Sequence, residues 1–141
     1  MLCRQHAAQL RERYEEITGL GAEVVAIGTG DSMYAERFVQ DDSIPFPVLV
    51  DDDGAAARAA SLRKVNFATL LFDPRSLRGA RQAHRDGFRV KKSGKRVNQL
   101  GATFVVGPGP MLRYAHVDAH TADHAPIPDV LDVLRASVAP N

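Results

Sequence analysis

The sequence has no tryptophan, a single cysteine and no apolar run approaching the roughly 20 residues that would span a bilayer as a helix. One cysteine excludes an internal disulfide framework, and such sparing use is expected of a reducing cytoplasm. The first residues, MLCRQHAAQL, lack the apolar stretch of a secretory leader. Internal repeats and low-complexity tracts are also missing. What remains is an ordinary globular composition, 45% hydrophobic and 25% charged. The 141 residues are expected to form one domain, long enough to bury a core.

The formal net charge of +1 hides an asymmetry. Residues 63–96 hold eleven basic and two acidic side chains, a net of +9, while the other seven basic and fifteen acidic residues make −8. A basic block inside an acidic domain reads as an insertion, here 63–98. It has little aromatic interleaving, only Phe67, Phe72 and Phe88. Packing on the acidic body is therefore expected ahead of nucleic-acid binding.

Apolar periodicity sets out the elements. Cys3, Ala7, Leu10, Tyr14 and Ile17 recur at helical steps, which predicts one helix over 3–17 with Cys3 on the inward stripe of its first turn. The β-branched run Ala22–Ile27 predicts a strand buried on both faces. Asp31 or Ser32 can cap a helix over 32–40. Phe46–Val50 reads as a strand, and the alanine-rich stretch Asp53–Leu62 as a helix. Strand and helix alternating through short links is the pattern of parallel α/β structure. Within the basic block, NFATLLF is apolar, and Asp73-Pro74 opens a helix. Two strands, 102–106 and 111–117, flank Gly107-Pro108-Gly109-Pro110 and predict a hairpin. A loop and a last helix over Pro126–Ala136 complete the chain.

The segments VVAIGTGD, FPVLVDDDGAAARAASL and GATFVVGPGPMLRYAHVDAHTADHAPIPDVLDVL resemble the peroxiredoxin-like branch of the alkyl hydroperoxide reductase/thiol-specific antioxidant (AhpC/TSA) family. The resemblance covers about Cys3 to Leu134 and implies a thioredoxin-like α/β fold, a mixed sheet flanked by helices, with a helical insertion before the hairpin. Members of that branch have a strand, then Cys-x-x-Cys-Arg, then the first helix. MLCR matches the last four positions of that motif. The first cysteine and its strand are expected to precede Met1, which would leave the sheet without a central strand between 22–27 and 102–106. Either those two strands pair directly, or another enters the gap. NFATLLF at 66–72, from the same chain or from a second copy, is the best-suited segment, and an exchanged homodimer is the expected outcome.

The resemblance implies thiol-dependent reduction of peroxides or related oxidised substrates, with Cys3 as nucleophile and Arg4 adding positive charge beside it. A thiolate at a helix N-terminus is stabilised by the unpaired amides there. Oxidation would give a sulfenic acid, and with no second cysteine an external thiol must reduce it. No cofactor is expected. Two family features are missing: the Thr or Ser three residues before the reactive cysteine, and an arginine near the strand that opens the hairpin. Gln99 and Leu100 stand at the latter place, and Arg113 lies one strand on. The competing reading is a non-catalytic thioredoxin-like interaction module, in which Cys3 is a small buried apolar residue.

Other motifs have plainer readings. His116, His120 and His124 are four apart, but a loop ending in prolines is no metal-binding helix face, so solvated loop histidines are expected. Gly28-x-Gly30 reads as a tight turn, and Asp51, Asp52 and Asp53 as caps.

Overall fold

A computed structural model describes residues 2–29, 31–62, 78, 85 and 99–138, with backbone alone for Leu2 and Cys3. The element order is α1 (Leu2–Glu12), α2 (Tyr14–Gly19), β1 (Ala26–Gly28), α3 (Ser32–Asp42), β2 (Val48–Val50), α4 (Ala55–Ala59), β3 (Ala102–Val106), β4 (Leu112–Val117) and α5 (Ile127–Val138). The expected helix over 3–17 is therefore two helices. They break at Arg13, whose φ of −107° and ψ of 10° depart from helical values. The stripe survives the break: Ala7 and Ile17 are buried, with Leu10 and Tyr14 packed beside them.

β1 and β2 pair in parallel, with Ala26 opposite Val48 and Gly28 opposite Val50. The expectation of a strand buried on both faces fails here. Val24, Ala26 and Val48 pack on the core, whereas Val25 and Ile27 are 52% and 56% exposed. The strand's period of two points these two to the opposite face, which no described element covers. The regular pairing is also shorter than the apolar run, three residues per strand. β3 and β4 form the expected antiparallel hairpin, Thr103 opposite His116 and Val105 opposite Tyr114, with an irregularity at Val106. It too is one-sided, since Val105 is buried and Phe104 and Val106 are exposed. Among the described residues the two pairs remain separate sheets, so direct pairing of 22–27 with 102–106 is not observed. The NFATLLF segment, the helix opening at Asp73-Pro74 and the rest of the 63–98 insertion, apart from Arg78 and Arg85, lie outside the described residues.

Local chemistry explains the remaining elements. Asp31 caps α3 by accepting from the Tyr34 amide at 2.8 Å. α4 is shorter than expected and begins after Gly54. Asp51 and Asp53 act as caps, with Asp51 accepting from the amides of Ala56 and Ala57 and Asp53 from Ala55. α5 opens at Ile127 after the Pro126 carbonyl accepts the amides of Asp129 and Val130.

Three apolar clusters join the parts. Ala7, Ile44 and Phe46 form the first, Ile17, Ile127 and Leu131 the second, and Val105, Ala125 and Val130 the third. Leu10 belongs to the first two and Leu134 to the last two. The core thus runs continuously from α1 through α5 to the hairpin. That continuity fixes α1 against the loop between β4 and α5.

Candidate functional site

The candidate site is the N-terminal half of α1 and the two structures that grip it. Cys3 is the second residue of the helix; its side chain lies outside the described residues. Arg4, next in sequence, turns toward α3. Its Nη1 lies 2.5 Å from Asp42 Oδ2 and 3.9 Å from Asp41. The guanidinium also sits 5.2 Å from the Phe38 ring centroid and 5.8 Å from that of Tyr34. At 7% exposure Arg4 is buried, so its charge is matched by a carboxylate and by aromatic faces rather than by water. Arg11, two turns on, donates to the backbone carbonyl of the same Asp42. The arginine beside Cys3 therefore pins α1 to the C-terminal end of α3.

The opposite attachment runs through His6, which follows Cys3 by one turn. Its ring stacks on that of His124, with centroids 5.1 Å apart and planes inclined by 27°. Its Nε2 is 3.4 Å from Thr103 Oγ1 on β3. Burial and the neighbouring His124 lower the His6 pKa to about 4, so the ring is neutral at pH 7. His124 Nδ1 lies 3.1 Å from Oδ2 of Asp118, a carboxylate almost wholly buried. The other Asp118 oxygen is 3.8 Å from His116 Nε2. That same nitrogen is 3.4 Å from Asp123 Oδ1. Asp123 itself accepts from the Ala119 amide, the main reason its pKa is lowered.

The fold brings this cluster together by register. Thr103 and His116 are opposite each other on the inner face of the hairpin. Asp118 continues β4 by donating its amide to the Gly101 carbonyl at 3.0 Å. Gly101 makes room for the carboxylate, since a Cβ there would lie 2.9 Å from Asp118 Oδ2. The loop then returns His124 over His6. Between α1 and the start of α5 lies an open cleft of about 610 Å³ whose walls include Gln5, His6, Gln9, Glu12 and His124.

The loop histidines are expected in water. The structure corrects this, because the side chains of His116 and His124 are only 23% and 17% exposed and both face Asp118. They do not share a helix face, and among the described residues no group of three or more His, Cys, Asp or Glu could hold a metal ion. His6 belongs to no motif that marks it in the sequence. The available signal was its place one turn after Cys3, just off the inward stripe. At the position where the family keeps an arginine, Leu100 is buried, and Arg113 is exposed and donates to the Gly107 carbonyl of the hairpin turn. The first helix meets the loop after Val117 through the His6 ring stacked on His124.

Residues 9–120 match a family model described as AhpC/TSA antioxidant enzyme. The chain is also 27% identical over 140 residues to the thioredoxin-like protein AAED1, chloroplastic, of Arabidopsis thaliana. The match covers 93% of this chain and 56% of that relative, so the chain spans little more than half the relative's length. Among the described residues no helix is long and apolar enough to cross a membrane.

Proposed function

From the premise that the chain belongs to the AhpC/TSA antioxidant enzyme family, we propose that it is a thiol-dependent oxidoreductase that reduces peroxides or related oxidised substrates through Cys3. Family membership and the thioredoxin-like relative support a redox function. The single observation that carries the assignment to Cys3 is its place at the second position of α1. There the helix amides that lack intrahelical partners favour the thiolate. The thiolate attacks the peroxide, its sulfur is oxidised to the sulfenic acid, and an alcohol leaves. An external thiol then forms a mixed disulfide with Cys3, and a second thiol releases the reduced cysteine.

Arg4 has a particular part in this scheme. Its guanidinium is committed to Asp42, so it acts by holding α1 in place rather than by binding substrate. The reading as a non-catalytic interaction module is weaker, because it leaves the partly buried imidazole–carboxylate cluster near Cys3 without a role.

The test is peroxide consumption supported by dithiothreitol. Cys3→Ser is expected to abolish it. Turnover that persists in the variant would remove thiol chemistry from the account.

A further inference from the structure

We infer that Asp118 and His124 form a proton-transfer dyad that activates the reducing thiol, taken up in the cleft between α1 and α5. The inference rests on the oxidoreductase reading and extends it to residues that reading does not use.

The geometry orients the imidazole. Asp118 is a buried carboxylate and can only accept, so the 3.1 Å contact places the His124 proton on Nδ1. The lone pair is then on Nε2. That atom is buried and has no hydrogen-bond partner. A buried imidazole nitrogen left unpaired is unfavourable, a cost removed when a ligand donates to it. His124 also lines the cleft. Because Nε2 is shielded, the donor enters with a side-chain movement at the cleft wall. Behind the imidazole, Asp118 is held by the room that Gly101 leaves. An imidazole oriented by a buried carboxylate is a general base whose protonated form is stabilised in place.

The cleft also adjoins the part of α1 that bears Cys3. Gln5 and His6 are in its wall and follow Cys3 by two and three residues on α1. Three residues of helix rise only about 4.5 Å. The donor class follows from the chemistry. After peroxide reduction Cys3 is a sulfenic acid, and its reductant arrives as R–SH, which attacks only as the thiolate. His124 Nε2 takes the S–H proton. The thiolate sulfur bonds to the Cys3 sulfur as the S–O bond breaks. The departing hydroxide recovers the proton from His124 and leaves as water. The products are a mixed disulfide and neutral His124, so atoms, charge and electrons balance.

Titratable and polar groups surround the dyad and its cleft from several elements. α1 supplies His6 and Glu12, the break after α1 supplies Arg13, β4 supplies His116, and the loop supplies Asp118 and Asp123. β3 supplies only the neutral Thr103. His6, its pKa lowered to about 4, adds no charge at neutral pH.

The test separates the two steps in the full chain, with 2-mercaptoethanol as the probe thiol. Cys3 is oxidised with one equivalent of hydrogen peroxide, and sulfenic acid is followed with a dimedone trap. Once formed, the sulfenic acid of His124→Gln is expected to be lost to 2-mercaptoethanol about 100-fold more slowly than that of the unaltered protein, the low end of general acid–base contributions. If the variant's sulfenic acid is reduced at the rate of the unaltered protein, the dyad is overturned and the oxidoreductase reading stands. If no sulfenic acid forms on the unaltered protein, the oxidoreductase reading falls and takes the dyad's role with it. A second measurement needs no variant. Nitrogen chemical shifts of His124 in the unaltered protein are expected to show protonated Nδ1 and bare Nε2, and the opposite tautomer overturns the proposal.

Discussion

Arg4 and His6 stand two residues apart on α1 and tie it to different parts of the molecule, Arg4 to the end of α3 and His6 to the loop after β4. The Arg4 attachment uses a permanent charge, a carboxylate at 2.5 Å and two aromatic rings. The His6 attachment uses a neutral ring stacked on another imidazole. A guanidinium keeps its proton throughout the physiological range, whereas a buried imidazole must stay neutral to stay buried. One side of the helix that bears Cys3 is therefore indifferent to pH and the other is not. A helix held this way can keep its place against α3 while the cleft side responds to protons.

The largest expected effect comes from breaking the indifferent side. Arg4→Met keeps most of the buried stem and leaves Asp42 without its ion pair. Removing one partner of a buried pair typically costs 3–5 kcal/mol, and the partial exposure of Asp42 puts the expected loss at about 3 kcal/mol. Urea unfolding at pH 7 measures it, and a loss under about 1 kcal/mol would mean that the aromatic faces alone hold α1.

Acid breaks the other side with a smaller effect. The His6 pKa is about 4 in the folded chain against 6.5 in the unfolded one. Between those values the unfolded chain binds more protons, so stability falls as pH is lowered from about 6.5 toward 4. The expected loss is about 2 kcal/mol, reduced from the full linkage value because the ring is only partly shielded. His6→Gln should flatten this part of the curve, whereas Arg4→Met should lower it evenly. A curve with the same slope in His6→Gln would assign the titration to another group. The lowered pKa of Asp123 acts in the same sense at lower pH, its contribution being lost as the carboxylate is protonated.

How far the sequence foretold this arrangement differs between its parts. The hairpin was legible because the Gly-Pro-Gly-Pro turn and its flanking apolar runs are local features, and the strands fall at 102–106 and 112–117. The last helix was legible from Ile127, Val130, Leu131 and Leu134, whose spacing is again local. The break at Arg13 was not, because the apolar stripe continues across it. The exposed faces of β1 and β3 were not, because an apolar run does not reveal how many layers cover a sheet. The Asp118 cluster was least legible. Its contacts join residues far apart in sequence, 97 positions in the case of His6 and Thr103. In the local sequence, HVDAHTADH looks like solvated loop. Arg4 was noted for its charge, yet its engagement with Asp42, 38 residues away, depends on how α1 packs on α3.

The most direct test of the central claim is the rate of Cys3 alkylation by iodoacetamide as a function of pH, in the folded chain and in urea. The account predicts an inflection well below the ordinary thiol value of about 8.5 in the folded chain, returning to that value in urea. An inflection at or above 8.5 in the folded chain would show a thiol that its helix does not activate, and would contradict the assignment of redox chemistry to Cys3.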